Sequence, residues 1–185
     1  MRPSRYVPFL TLAFIALIWG YSWVPSKLGV ANSSAFEFAA LRTFPAGVIM
    51  VALLPVLRRP FPPKAWRLTA VVGVLQLCGF AGLTSAALVV GGAGHTAMLA
   101  NTWQFWLLLI AWIFLGETIR GGQWVSVALG LVGLVLIIEP WALRGVLSSL
   151  LALAGALCFA AGAIVVKILR RRHKVDLFSL SAWQT

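Results

Sequence analysis

Apolar residues run along this chain in long stretches that charged residues do not enter. Stretches without Asp, Glu, Lys or Arg cover residues 6–26, 43–57, 68–116, 121–138 and 145–166. A helix needs about 20 mostly apolar residues to cross the hydrocarbon core, and charged side chains are costly at its centre. The pattern therefore predicts six membrane helices, over about 7–26, 37–57, 67–90, 94–115, 122–139 and 146–169.

Turn-forming residues support these boundaries. The run Arg58-Arg59-Pro60-Phe61-Pro62-Pro63 opposes helix formation, and Gly91-Gly92-Ala93-Gly94 divides the longest uncharged stretch near its middle. Residues 176–185 have the pattern of a further helix that has only begun, because ten helical residues cover about 15 Å, half of the hydrocarbon thickness. We therefore expect an all-α membrane protein, a multi-span helical bundle of six transmembrane helices plus a partial seventh.

Composition excludes several other classes of protein. The chain is 61% hydrophobic and 10% charged, whereas soluble chains are about 25% charged. A soluble domain, a disordered tail, a coiled coil and a disulfide scaffold are all excluded on this basis. The net charge of +11 is typical of nucleic-acid binding, but the predicted spans leave no soluble face to carry it. We therefore expect no nucleic-acid partner, no cofactor and no metal ion.

The basic residues fall unevenly on the two sides of the predicted membrane. With the N-terminus inside, the outer side holds only Lys27, Arg42 and Arg144 of the 15 Lys and Arg residues. Basic loops mark the cytoplasmic side, so we expect a multi-pass protein of the cell (inner, cytoplasmic) membrane with a cytoplasmic N-terminus. The run from Arg170 to Lys174 is a topology anchor in this scheme, and its alternative role is to bind anionic lipid headgroups.

An internal repeat relates the first predicted helix to the sixth. Residues 10–27 align with residues 150–167 at an offset of 140. Five helices separate the two copies, so the second copy must be inverted, as in many transporters. We expect residues 1–143 to form a first five-helix repeat and residues 144–185 to start a second, truncated one that lacks four further helices. The identical pairs at this offset are Leu10/Leu150, Ala16/Ala156, Leu17/Leu157 and Lys27/Lys167. With two residues inserted in the next loop, Ala40/Ala182 and Thr43/Thr185 also match.

Four short motifs follow one another along residues 7–185. Helix one carries Trp19-Gly20-Tyr21-Ser22-Trp23 with Lys27 four residues on, and helix two carries Ala40-Leu41-Arg42. Helix four ends in Leu115-Gly116-Glu117, and helix five carries Gly130 and Gly133. In this order the motifs resemble the EamA-type members of the drug/metabolite transporter superfamily, which have two five-helix repeats. The resemblance implies a secondary transporter, an exporter of small metabolites or amino acids, that works by alternating access.

Polar side chains inside the predicted spans are the candidates for a solute cavity, because such residues usually face the bundle or water. Asn101 and Gln104 are three residues apart and share a helical face, and their alternative role is hydrogen bonding to neighbouring helices. The resemblance adds helix one as a cavity wall, although its outer aromatic residues also suit the interfacial belt. The candidate substrate-binding residues are Trp19, Ser22, Gln76, Asn101, Trp103 and Gln104.

Charged residues near predicted helix ends are candidates for gates or structural ion pairs. Glu117 lies at the inner end of helix four, where Arg120 would offset its unfavourable interaction with the helix dipole. The resemblance implies a structural bridge at this inner gate. At the outer gate, we expect either isolated charges that extend to water or an ion-pair cluster formed by Lys27, Glu37, Arg42 and Glu139.

Two other functions compete with transport. An intramembrane serine protease needs a deep histidine base, but His95 and His173 fall at opposite membrane faces, and no H-E-x-x-H motif is present. We therefore expect no enzyme. A truncated, non-transporting remnant or a membrane assembly subunit is the other alternative. The expected partners are a small-molecule solute, membrane lipid, and either the missing C-terminal half or a second copy of the chain in a homo-oligomer.

Overall fold

The fold is all-α. The computed structural model describes residues 6–59, 65–118, 120–138, 145–172 and 176–184, and no strand occurs among them. Six helices in these ranges are long and apolar enough to cross a membrane, which confirms the predicted multi-span fold. The helices are α1 (Val7–Val30), α2 (Ala35–Val56), α3 (Trp66–Val90), α4 (Ala93–Leu115), α5 (Gly121–Ile138), α6 (Val146–Arg172) and a short α7 (Leu177–Gln184).

A capping box sets the start of α2 at Ala35, two residues before the predicted start. The Glu37 backbone N–H donates to Ser34 Oγ at 3.3 Å, and the Ser34 N–H donates back to Glu37 Oε2 at 3.1 Å. These two bonds satisfy backbone donors that the first turn of a helix otherwise leaves without partners. Glu37 therefore has a local structural role.

Three spans depart from regular α-helix near their middles. A single turn residue, Ser22, interrupts α1, and α4 breaks at Asn101 and Thr102. The middle of α3 is π-helical over Val74–Gly82. The charge gaps do not predict these breaks, because none of the breaks contains a charged residue. Irregular segments inside membrane helices often accompany functional sites.

The helix α6 packs against both α3 and α4. Its contact face carries Ala152, Ala156 and Ala160, which are fully buried and are each four residues apart. On the facing side, a Cβ added to Gly79 of α3 would lie only 2.7 Å from the Cβ of Cys158. Small residues on both helices therefore let the two backbones approach closely, which is how van der Waals packing joins helices in lipid.

The helices α1 and α5 lie at the periphery of the bundle. The segment Val7–Tyr21 of α1 contains no buried residue, and α5 packs against α4, where the rings of Trp112 and Trp124 lie 5.4 Å apart. By contrast, α7 packs against α2 and the start of α3 and buries Ser179, Leu180 and Ala182. The predicted opening of a seventh helix is therefore present, although Thr185 lies outside the described residues.

Candidate functional site

A small pocket lies where α1 and α3 approach their C-terminal ends and α2 begins. We call this side of the bundle the pocket end. Three aromatic side chains, Trp19, Trp23 and Phe80, form part of its wall. About 40 Å³ of the pocket is open to the centres of water-sized molecules, enough for a few waters or one polar group of a solute. Its other lining residues are Ser22, Ala39, Arg42, Thr43, Ala81, Thr84, Ser85 and Leu88.

Hydroxyl groups from all three helices line this pocket. Ser22 Oγ donates to the Trp19 carbonyl at 2.6 Å, next to the break in α1. Thr43 donates to a carbonyl of α2 at 2.8 Å and Thr84 to one of α3 at 2.6 Å. Because each proton is used within its own helix, the hydroxyl oxygens remain as hydrogen-bond acceptors for an occupant.

Arg42 places a positive charge in the pocket. Its Nη1 donates to Ser26 Oγ of α1 at 3.1 Å, and Ser26 is itself buried. No carboxylate pairs with Arg42 among the residues that the structure describes. A guanidinium has five N–H donors in a planar fork, so Arg42 is well suited to bind an anionic or carbonyl oxygen of a solute.

The predicted outer ion-pair cluster does not form among the described residues. Glu37 caps its own helix, and Lys27 donates to the carbonyl oxygens of Leu88 and, at 3.3 Å, Val89. These carbonyls belong to the last turn of α3, where backbone acceptors lack intrahelical partners. Lys27 therefore joins the end of α1 to the end of α3. Glu139, the remaining member of the predicted cluster, lies outside the described residues.

The two amides predicted to line a cavity lie in a different place from the pocket. Asn101 and Gln104 line an open groove between α4 and α5, together with Ser126 and Gly130. Asn101 sits at the break in α4 and donates from Nδ2 to the Ala97 carbonyl of its own helix at 2.8 Å. The groove offers about 390 Å³ and is lined mainly by apolar atoms.

Gln76 and Trp103 lie where α3, α4 and α6 meet. A Cβ added to Gly162 of α6 would lie 2.8 Å from Cγ of Gln76, so this side chain packs against α6. The rings of Trp103 and Phe80 each lie 4.8 Å from the ring of Phe159, centroid to centroid. The six candidate substrate-binding residues therefore lie in three places. Trp19 and Ser22 line the pocket, Asn101 and Gln104 line the groove, and Gln76 and Trp103 lie in this helix contact.

Ion pairs join helices at the opposite side of the bundle, which we call the ion-pair end. Glu117, just after α4, accepts from Lys167 at 2.6 Å and from Arg171 at 2.7 Å, both on α6. The prediction that Arg120 pairs with Glu117 was therefore wrong, and the bridge joins the end of α4 to α6. The hydrogen bond from Lys167 lowers the pKa of Glu117 below its ordinary value of 4.5, and the charge of Arg171 adds to this effect.

A second ion pair lies at the same end. Arg59, after α2, donates to Asp176, before α7, at 2.7 Å. The backbone N–H of Ser179 also donates to Asp176 at 2.9 Å and gives the largest contribution to a lowered pKa of this carboxyl. The ion-pair end is thus held by charges on α6 and beside α2, α4 and α7.

Sequence reasoning missed several residues of the pocket and of the bridge. Thr43, Thr84 and Ser85 are polar residues within spans, and the rule that selected Asn101 applies to them equally. Lys167 and Arg171 share a face of α6 because they are four residues apart. That spacing was visible in the sequence, but the approach of Glu117 across 50 residues was not.

Comparison with known proteins identifies transporters among the relatives of this chain. The uncharacterized transporter YvbV of Bacillus subtilis is 29% identical over 179 residues, covering 95% of this chain and 58% of that protein. A riboflavin transporter of Rhizobium johnstonii is 30% identical over 184 residues, covering 91% of this chain and 57% of that protein. The uncharacterized inner membrane transporter YedA of Escherichia coli K12 is 26% identical over 168 residues, covering 89% and 55% of the two chains.

The chain spans a little more than half the length of these curated relatives. No solved structure matches it. The family match covers residues 8–139, well over half of the chain, and includes α1 to α5. This match confirms the resemblance drawn from the four motifs. The chain is a multi-span membrane protein that belongs to the EamA-like transporter family.

Proposed function

We propose that this chain forms the first repeat, and the start of the second, of a secondary transporter in the cytoplasmic membrane. It moves a small solute by alternating access, with the pocket end facing outward and the N-terminus in the cytoplasm. The observation that carries the proposal is the polar pocket between α1, α2 and α3, where Arg42 lies beside Ser22 and Trp19. A charge within membrane spans is expensive unless water or a ligand reaches it.

The two ends of the bundle support alternating access. Ion pairs hold the ion-pair end together, whereas the pocket end has space beside an arginine without a described carboxylate partner. This arrangement is expected of a conformation closed toward the cytoplasm. Opening that side would require the bridges from Glu117 and Asp176 to break while the pocket end closes.

Polar groups of the pocket favour a solute with an anionic or carbonyl oxygen for Arg42. The hydroxyl oxygens of Ser22 and Thr84 would accept from N–H or O–H groups of the same solute, and the aromatic side chains would contact its apolar part. Small metabolites and amino acids meet this description. Asn101 and Gln104 would belong to a second, lipid-side groove and would affect transport less than Arg42.

The domain proposal assigns residues 1–143 to one five-helix repeat and residues 144–185 to the start of an inverted second repeat. The packing of α6 supports it, since α6 packs against α3 and α4 while the aligned segment Val7–Tyr21 of α1 buries no residue. In a two-repeat protein, the counterparts of α3 and α4 would cover α1. The relatives have the additional length that such helices require.

The transport proposal is tested by reconstituting the purified chain in proteoliposomes and measuring flux of a metabolite panel in both directions. Arg42→Gln should reduce the flux of a transported solute about tenfold, the loss expected for one charged hydrogen bond. Arg67→Gln is the matched control, because Arg67 stacks on Trp66 beyond the pocket and should leave flux unchanged. Equal flux in the wild type and Arg42→Gln would contradict the pocket assignment.

The exposed face of α1 also favours a second candidate function, that of an assembly subunit or a non-transporting remnant. Absence of flux from wild-type liposomes, for every solute in the panel, would favour that alternative. Restoration of flux by adding the second repeat of a relative as a separate chain would favour the transporter.

A further inference from the structure

One face of the last turns of α6 combines basic and apolar residues. Arg170 and Arg171 lie three and four positions after Lys167, so each shares a side of the helix with Lys167. They line a surface groove together with Ala163 and Val166, which lie about one turn nearer the middle of the span. The groove therefore has a basic end at the helix terminus and an apolar end within the span.

The basic end carries an excess of positive charge. Glu117 is the carboxylate that pairs with Lys167 and Arg171 among the described residues, and it does not contact Arg170 there. The side chains of Lys167 and Arg171 remain 40% and 55% exposed although they contact Glu117. Two of the three cations thus share one carboxylate, Arg170 is exposed, and N–H donors of all three are accessible from the surface.

We propose that this groove binds the headgroup of an anionic phospholipid. The phosphate contacts Arg170 together with Lys167 and Arg171, and an acyl chain lies along Ala163 and Val166. The order of residues along α6 supports a lipid rather than a soluble phosphate, because basic side chains at the end of a span reach the headgroup layer while the apolar residues stay in hydrocarbon. A topology anchor requires only the number of basic residues, not their alignment above an apolar groove.

The lipid phosphate and Glu117 compete for the same donors. Bound phosphate therefore weakens the bridge between α4 and α6, and loss of the Glu117 charge strengthens lipid binding by the same coupling. Through this competition, the amount of anionic lipid around α6 sets how firmly the ion-pair end is held. The competition also distinguishes the site from a general attraction between a positive surface and a negative membrane.

The test uses the purified full chain, delipidated in detergent, with bound lipid counted by native mass spectrometry. Phosphatidylglycerol should bind in preference to phosphatidylcholine with the same acyl chains, and soluble glycerol phosphate should not displace it. Arg170→Gln should weaken phosphatidylglycerol binding about fivefold, the usual effect of one basic residue near an anionic surface. Arg67→Gln removes a charge that stacks on Trp66 and should change binding much less.

A second pair of variants tests the competition. Glu117→Gln should raise phosphatidylglycerol affinity more than Asp176→Asn does, although both variants remove one negative charge from the ion-pair end. Arg170→Gln and Arg67→Gln form one matched pair, and Glu117→Gln and Asp176→Asn form the other. If the two variants of either pair change phosphatidylglycerol affinity equally, general electrostatic attraction explains the binding and the proposed site is overturned. Equal binding of phosphatidylcholine, or displacement of the lipid by glycerol phosphate, would also overturn it. Size-exclusion profiles that match the wild type identify the variants that have folded.

Discussion

The helices α1 and α6 align residue for residue at an offset of 140, yet they differ completely in packing. In an apolar stretch of 18 residues within each helix, no residue of α1 is buried, whereas 39% of the residues of α6 are. Ala156 of α6 is fully buried against α3 and α4, while the aligned Ala16 of α1 is exposed. Similar apolar sequences therefore acquire different environments from the helices beside them, and hydropathy alone does not distinguish a packed span from a peripheral one.

The largest expected effect comes from enlarging the aligned alanines. Ala156→Leu adds three carbons to a close helix contact and should destabilise the fold by about 1–3 kcal/mol. Ala16→Leu enlarges an exposed position and should change stability by less than about 0.5 kcal/mol. Denaturant titration in detergent micelles measures both. A comparable loss from Ala16→Leu would mean that a second copy of the chain covers α1 in the purified protein.

An intermediate effect is expected from pH at the ion-pair end of α6. The pKa of Glu117 is lowered by folding, so its bridge stabilises the protein above the ordinary carboxyl pKa of 4.5 and is lost as pH falls through the lowered value. The wild-type melting temperature should therefore drop as pH falls below 4.5.

Glu117→Gln should lower the melting temperature at neutral pH and reduce its dependence on acid. Asp176, whose pKa is also lowered, should supply the dependence that remains. Thermal melts of the wild type, Glu117→Gln and the Glu117→Gln/Asp176→Asn double variant measure the two contributions. If Glu117→Gln keeps the full acid dependence, the bridge to α6 does not contribute to stability.

The smallest effect should come from Gly20, which aligns with the fully buried Ala160. Nothing lies within 4 Å of a Cβ built at Gly20, so Gly20→Ala should be neutral or stabilise α1 by up to about 1 kcal/mol. Gly79→Ala is its counterpart at the packed contact and should destabilise, because the new Cβ would lie 2.7 Å from Cys158. In thermal melts, Gly20→Ala should leave the melting temperature unchanged or raise it, whereas Gly79→Ala should lower it. An equal loss of melting temperature in both variants would show that α1 is packed.

The spans were predictable because the cost of burying charge in lipid acts locally along the sequence. Each gap between charged residues marks one helix, or two in the longest gap, whichever helices pack beside it. The breaks at Ser22 and Asn101 and the π-helical middle of α3 were not predictable, since they depend on contacts with other helices. The same limit applies to the candidate site, where the family resemblance indicated Ser22 but could not say which helices face it.

Electrostatic partners were the least predictable feature. The sequence places Glu37 and Arg42 near the same helix end, but Glu37 caps its own helix and Arg42 donates to a serine on α1. Glu117 likewise pairs with α6 rather than with nearby Arg120. The capping box is a local Ser34-x-x-Glu37 pattern that the sequence does contain. The pairings of Arg42 and Glu117 depend on how helices cross in three dimensions, and one sequence without its helix arrangement does not contain that geometry.

Lys27 links two of the three pocket walls directly. Its ammonium group donates to the final carbonyls of α3 and so joins α1 to α3 at that rim. The third wall, α2, packs against both helices through Phe36 and Phe38, and Arg42 adds a hydrogen bond from α2 to a serine hydroxyl of α1. An occupant that draws the Arg42 guanidinium away from this serine would loosen α2 and leave the link between α1 and α3 in place.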